Sequence, residues 1–254
     1  MDTAHRLDGN VAIVTGASRG IGAAIAAALA ERGARVVVSS RSQESVDRVA
    51  SALRDRGLEA AGIACHAGRP DQLAGLVEQT VAAFGGIDIL INNAATNPVF
   101  APLLDTSPEA FDKILDVNLK GPLELCKLVY PHMKARGAGS IVNISSIAGL
   151  RPEPGLGGYS ISKAALQMMT QALAVEWTPV GIRVNAVCPG IIQTKFSEAL
   201  WTDPAMKQRL DEQVPARRIG QPEEVAGLVV FLASDAARYC TGGVYTVDGG
   251  YTLV

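Results

Sequence analysis

Seven short runs rich in Val, Ile or Ala recur along the chain, most of them separated by longer segments of helical period. This alternation restricts the fold more than any other feature. The runs are VAIVT from Val11, RVVVS from Arg35, EAAGIAC from Glu59, IDILINN from Ile87, SIVNIS from Ser140, IRVNAV from Ile182 and VYTV from Val244. Near-continuous apolar strands are covered on both faces, and strands separated by helices pair in parallel through crossover connections. The pattern predicts an α/β fold: a doubly wound, seven-stranded parallel sheet with helices on both faces and ligands at the carboxyl ends of the strands. No repeat, low-complexity tract or long linker interrupts the 254 residues, so residues 1–254 are expected to form a single domain.

Composition narrows the partners. With 48% hydrophobic and 19% charged residues and a net charge of -2, the chain has no basic excess for nucleic acid and no acidic tail, which leaves small-molecule chemistry. The four cysteines, at 65, 126, 188 and 240, form no CxxC pair, and the three histidines are scattered; neither a disulfide framework nor a metal site is expected. The N-terminal MDTAHRLDGN lacks the apolar core of a signal peptide, and no run nears the roughly twenty apolar residues that span a bilayer. A cytoplasmic protein with no membrane partner is expected.

The first run leads straight into TGASRGIG, Thr15 to Gly22, at the start of a helical segment. Gly16, Gly20 and Gly22 let the backbone turn tightly and approach a ligand, and the helix start offers free N–H groups to a phosphate, with Ser18, Arg19 and Ile21 between the glycines. Strand, glycines and helix in this order form the context of a dinucleotide site. An acid after the second strand would hold the ribose 2′-hydroxyl of NAD, but the chain reads VVVSSRS there, placing Ser40 and Arg41 at that point. A guanidinium pairs well with a 2′-phosphate, and Arg19 could assist, so NADP(H) is expected over NAD(H).

Farther on, SSIAGLRPEPGLGGYSISKAA puts Tyr159 and Lys163 four residues apart, on one face of a helix. A phenol with a reference pKa near 10 becomes a usable acid at neutral pH if a nearby cation lowers that value.

Taken together, TGASRGIG, NNAA at Asn92 to Ala95, Asn118 in DVNLKGP, Ser146, YSISK and the Pro189–Gly190 pair resemble the short-chain dehydrogenase/reductase family over nearly the whole chain. The resemblance implies a Rossmann-type sheet and often a homotetramer. It implies Tyr159 as general acid toward a carbonyl oxygen, Ser146 as hydrogen-bond donor to that oxygen, and Lys163 as the cation that lowers the tyrosine pKa and holds the nicotinamide ribose. Asn118 would organise a water linking Lys163 to solvent. Asn93, Ala94 and Ala95 resemble the loop against the cofactor, and Pro189, Gly190, Ile192 and Thr194 the segment gripping its nicotinamide end. Ser145 is expected to point away from Ser146 by strand alternation. The sequence departs from the family pattern at Ala95, where glycine is usual, and at His66, where many relatives carry Asp; with Ala67, His66 would lie near the adenine. A spacing of four between tyrosine and lysine disfavours an enoyl reductase.

Residues 195–218 are expected to form a helical lid whose Phe196, Leu200, Trp201 and Met206 offer an apolar face to a hydrophobic carbonyl compound. Several segments are similar to the NADP-dependent retinol dehydrogenase/carbonyl reductase branch, which reduces aromatic ketones, dicarbonyls and retinal. Two alternatives stand beside this reading. One is a 3-oxoacyl-[acyl-carrier-protein] reductase, whose acidic carrier Arg217 and Arg218 could dock; the other is a non-catalytic NADP-binding sensor or scaffold. The helical segments around FDKILDVNLKGPLELCKLVYPHM and ISKAALQMMTQALAVEW are apolar around much of their circumference, which points to a second subunit against them.

Overall fold

All seven runs become strands; the five central ones are apolar enough to be buried on both sides of the sheet, and the edge strands at either end are only partly covered. The computed structural model describes residues 4–254, apart from the side chains at 199, 200, 206, 207, 209 and 211. The strands are β1 (Val11–Thr15), β2 (Arg35–Ser40), β3 (Ala60–Ala64), β4 (Ile89–Asn92), β5 (Gly139–Ile144), β6 (Ile182–Pro189) and β7 (Val244–Val247). They form one parallel sheet in the order β3-β2-β1-β4-β5-β6-β7. The helices, in chain order, are α1 (Gly20–Glu31), α2 (Gln43–Arg54), α3 (Pro70–Phe84), α4 (Pro108–Leu115), α5 (Gly121–Arg136), α6 (Gly157–Trp177), α7 (Glu198–Trp201), α8 (Pro204–Gln213) and α9 (Pro222–Ala233).

The register explains the two-sided core. Val37, Ile13, Leu90, Ile141 and Val184 lie side by side across five strands and pack with α3, α5 and α6 residues such as Leu76, Val129 and Leu173. One residue on, the side chains reverse direction. Val38, Val14, Ile91 and Val142 accordingly pack on the opposite face with Ile25 and Leu29 of α1 and Val229 of α9. This arrangement is a doubly wound, Rossmann-like domain. After β3 the chain returns to the centre and places β4 beside β1, so the order of winding reverses between them and a crevice opens at their carboxyl ends.

Two features of the helices bear on the site. Between α4 and α5 the chain widens into one π-helical turn, Asp116–Lys120, that carries Asn118 inward; such turns concentrate at functional sites. The expected second covering of both apolar helices divides between them. On α5, Leu125, Cys126, Val129 and Met133 find their cover within the chain, whereas on α6 Ile161, Met168 and Val175, seven residues apart, are 44%, 65% and 79% exposed. Among the described residues, no helix is long and apolar enough to cross a membrane.

Candidate active site

The glycine turn after β1 is shaped by Asn93 at the end of β4. Its side-chain amide donates to the carbonyls of Thr15 at 2.9 Å and Gly16 at 3.1 Å. A Cβ on Gly22 would lie 2.4 Å from that nitrogen, and one on Gly16 would lie 2.8 Å from the Ala94 Cα, so both glycines give room to neighbouring chain. Gly16 and Gly20 also hold φ of +64° and +56°, conformations open to glycine. Thr194 closes over the turn, its Cγ2 standing 3.2 Å from where a Gly20 Cβ would be. Sequence reasoning missed Thr15, whose hydroxyl accepts the amides of Asn93 and Ala94 at 3.0 and 3.1 Å and donates to the Ile91 carbonyl. Its only signal is a polar residue closing a buried apolar strand.

These residues fit a dinucleotide. The start of α1, at Arg19, has no side-chain cap and no acid in its first turn, leaving its N–H groups and positive dipole end for a phosphate. Ser40 closes β2 at the same rim, followed by Arg41, and both Arg41 and Arg19 are exposed. His66 behaves as a loop residue: its Nδ1 accepts the Gly68 amide at 3.1 Å and its own amide donates to Gln72 at 2.7 Å. Ala67 is pressed against the start of α5, where a Cβ on Gly121 would collide with its carbonyl.

On the other side of the crevice, β5 ends at Ile144 and leads through Ser145 into Ser146, and α6 presents Tyr159 and Lys163 one turn apart. Lys163 is 2% exposed, its Nζ donating to the Ile144 carbonyl at 2.8 Å and standing 5.6 Å from the centre of the Tyr159 ring. A buried ammonium with one carbonyl partner retains donors for polar groups in the crevice. Ser146 lies close enough for its hydroxyl to stabilise the Tyr159 phenolate, and its Oγ accepts the Ala148 amide at 3.1 Å. Ser145 turns the other way, as alternation requires, and donates to the Lys163 carbonyl at 3.0 Å.

One expectation for this group changes. Burial pushes the Tyr159 phenol up to about 12, outweighing the lowering by Ser146, while burial pulls the Lys163 ammonium down to about 8. Desolvation disfavours both charged forms, so the resting phenol is a firm holder of its proton and not an acidified one. Asn118, fully buried, spends its side chain on a clamp. Its Oδ1 accepts the Thr96 amide at 2.8 Å, and its Nδ2 donates to the Thr96 carbonyl and the Ser162 hydroxyl, both at 3.0 Å. That side chain therefore ties the loop after β4 to α6; Ser162 is a further residue the sequence did not flag.

The 195–218 excursion is helical as expected, comprising a 3-10 turn at Lys195–Ser197 followed by α7 and α8. Its two ends meet in a bridge between Ile192 and Gly220. Phe196, 64% exposed, sets its ring 6.0 Å from that of Tyr159. Trp201 is half-buried and donates its indole N–H to the Thr194 carbonyl at 3.3 Å, which fastens the lid to the 189–194 segment. The side chains of Leu200 and Met206 lie outside the described residues. Arg218 is held by both oxygens of Glu224 at 2.7 and 2.6 Å, so it does not offer the free cation expected for an acidic carrier, and Arg217 donates to the Glu212 carbonyl.

A serine, a phenol and an ammonium gathered at the switch-point rim of a doubly wound sheet define an oxidoreductase of the dehydrogenase/reductase class, acting on CH–OH and C=O groups. Residues 16–252 match the family described as Enoyl-(Acyl carrier protein) reductase. The chain is 47% identical over 244 residues to Dehydrogenase/reductase SDR family member 4 of Sus scrofa, covering 96% of this chain and 88% of that protein. Its fold matches a gluconate 5-dehydrogenase from Burkholderia cenocepacia solved with NADP and tartrate, at TM-score 0.95 and 36% identity over 99% of this chain and 98% of that one. It also matches a 7α-hydroxysteroid dehydrogenase solved with NADH and 7-oxo glycochenodeoxycholic acid, at TM-score 0.94 and 33% identity over 98% of this chain and 97% of that one. The chain belongs to the short-chain dehydrogenase/reductase family.

Proposed function

We propose that this protein is an NADPH-dependent carbonyl reductase, reversible as an alcohol dehydrogenase, acting on a hydrophobic or aromatic ketone or aldehyde as a cytoplasmic homotetramer. The observation that carries the reading is the Ser146–Tyr159–Lys163 group facing the glycine turn across the β1/β4 crevice. When bound, a nicotinamide supplies or takes the hydride. Gly16, Ser18, Arg19, Gly20, Ile21 and Gly22 would cradle its pyrophosphate, Ser40 and Arg41 the 2′-phosphate, and His66 and Ala67 the adenine side. Asn93, Ala94 and Ala95 would line the ribose path, Lys163 the nicotinamide ribose, and Pro189, Gly190, Ile192 and Thr194 the nicotinamide end. Support for NADP comes from the exposed Arg41 after β2 and from the gluconate 5-dehydrogenase solved with NADP.

Each protein group has a distinct task. Ser146 donates a hydrogen bond to the substrate oxygen and fixes its place. Tyr159 gives that oxygen its proton as charge develops there; a phenol whose pKa is pushed up to about 12 stays protonated at neutral pH, yet remains far more acidic than the alcohol it forms. Lys163 holds a positive charge beside the phenolate left behind, and the low dielectric that costs both groups when charged singly strengthens their attraction when charged together. Phe196 sets an exposed apolar ring beside Tyr159, and exposed Phe100 and Leu103 stand against Gly155 and Gly157 at the start of α6, which suits a hydrophobic substrate. The exposed row Ile161, Met168 and Val175 on α6 is the surface assigned to subunit contact.

The test is a panel of ketones, aldehydes and alcohols assayed with NADPH and NADH. Turnover of aromatic ketones with NADPH above that of an acetoacetyl thioester supports the reading. Preference for the thioester would favour the acyl-carrier alternative, and absence of turnover across the panel the sensor.

A further inference from the structure

One residue on the catalytic face of α6 has no part in the mechanism above. Gln167 stands one turn beyond Lys163 and two beyond Tyr159, so the three share a face, yet it is 8% exposed, between buried Leu166 and Thr170. Burying an amide is costly unless it is hydrogen-bonded. Its Nε2 faces three acceptors: Ser145 Oγ at 3.1 Å, the Ser146 carbonyl at 3.2 Å and Cys188 Sγ at 3.3 Å. The Ser145 hydroxyl in turn donates to the Lys163 carbonyl at 3.0 Å, which closes a ring from Gln167 through Ser145 back to the helix one turn earlier. Gly149 makes room for the amide, since a Cβ there would lie 2.6 Å from Nε2.

The ring joins three pieces of chain through side-chain hydrogen bonds. It touches the main chain of Ser146 at the end of β5, the main chain of Lys163 on α6, and Cys188 in β6, the residue before Pro189 and Gly190. We infer that Gln167 is a positioning residue for the reaction, setting the place of the Ser146 hydroxyl relative to Tyr159 by pinning the Ser146 main chain to α6. It touches neither substrate nor cofactor. The inference rests on the proposed carbonyl chemistry, in which Ser146 aligns the oxygen that Tyr159 protonates, and misplacement of such a group by a fraction of an ångström is costly in rate.

Gln167→Met keeps length and bulk and removes both donors. With Ser146 present, kcat for an aromatic ketone should fall roughly tenfold and the kinetic isotope effect with deuterated NADPH should rise, while KM for NADPH changes less than about threefold. In a Ser146→Ala background the same change should cost less than about twofold, because residues acting as a unit are non-additive. Ser145→Ala breaks the ring from its other side and should show the same background-dependent loss. Equal losses in both backgrounds, as a merely structural role would give, overturn the inference, as does wild-type kcat in Gln167→Met. Wild-type protein without turnover on the whole panel overturns the proposed activity and this inference with it, whereas an active wild type with an unaffected Gln167→Met overturns the inference alone.

Discussion

The Lys163 ammonium donates to the Ile144 carbonyl at 2.8 Å inside the protein, and no carboxylate among the described residues pairs with it. Burial pulls its pKa from an ordinary 10.5 to about 8, so the unfolded chain holds this proton more tightly than the folded one. The charge costs the fold about 3 kcal/mol in full below about pH 8, and the cost fades as pH rises from about 8 to about 10.5. Lys163→Met should therefore be inactive yet more stable than wild type near pH 7, by a margin reduced about 1 kcal/mol by the lost hydrogen bond. Urea unfolding at about pH 7 and about pH 9.5 measures this. A margin that grows with pH would contradict it.

Tyr159→Phe keeps the ring that packs 6.0 Å from Phe196 and removes the proton donor. Turnover should fall by about a thousandfold or more with NADPH affinity, read by fluorescence titration, close to wild type. Substantial residual turnover would assign proton delivery to another group.

Arg41 is exposed where β2 ends at the rim. Loss of charge-assisted hydrogen bonds worth about 1.5–3 kcal/mol means that Arg41→Ala should raise the NADPH KM by about ten- to a hundredfold and leave that for NADH nearly unchanged. Steady-state kinetics with both cofactors decide it, and an equal change for both would remove the 2′-phosphate from the account.

Gly22→Ala would force a methyl to 2.4 Å from Asn93 Nδ2 and 2.5 Å from the Gly16 carbonyl. Overpacking of this kind costs about 1–3 kcal/mol, and Asn93 would lose its grip on the turn. A lowered Tm together with weakened NADPH binding is expected; Gly75→Ala, where the nearest atom is a flexible Gln79 amide at 3.8 Å, is the control.

Met168→Glu and Val175→Glu place charges in the exposed apolar row of α6. Light scattering after size exclusion should find the wild type as a tetramer and the double variant as smaller species, since like charges brought together at an interface core are strongly unfavourable. A wild-type monomer would refute the assembly outright.

The strands were legible because each is a short apolar run bounded by turn residues, and the Tyr159–Lys163 face because helix geometry alone brings residues four apart together. Depth was not legible. The sign of the Tyr159 shift depends on how far α6 sinks beneath the crevice, which no spacing encodes, and burial there outweighs the hydroxyl of Ser146. Polar side chains with several possible partners were equally opaque. Arg218 reads as a surface cation until Glu224 is found on it, the clamp of the Asn118 amide on Thr96 and Ser162 leaves no mark in the spacing, and Gln167 reads as one more helix residue. Each depends on contacts between segments far apart in sequence.

The bridge from Ile192 to Gly220, reinforced by Gln193 and Gln221 at 2.8 Å, makes the excursion between them leave and re-enter the domain through one doorway. Before it re-enters, the segment also rests on the C-terminal tail: the Ala216 amide donates to the Gly249 carbonyl at 3.0 Å, and Val214 and Pro215 lie against Gly249 and Gly250. An exchange confined to 195–213 would leave Thr194, the Ile192–Gly220 bridge and the contacts with the C-terminal tail in place, and is expected to change which carbonyl compounds are turned over while the chemistry of Ser146, Tyr159 and Lys163 persists.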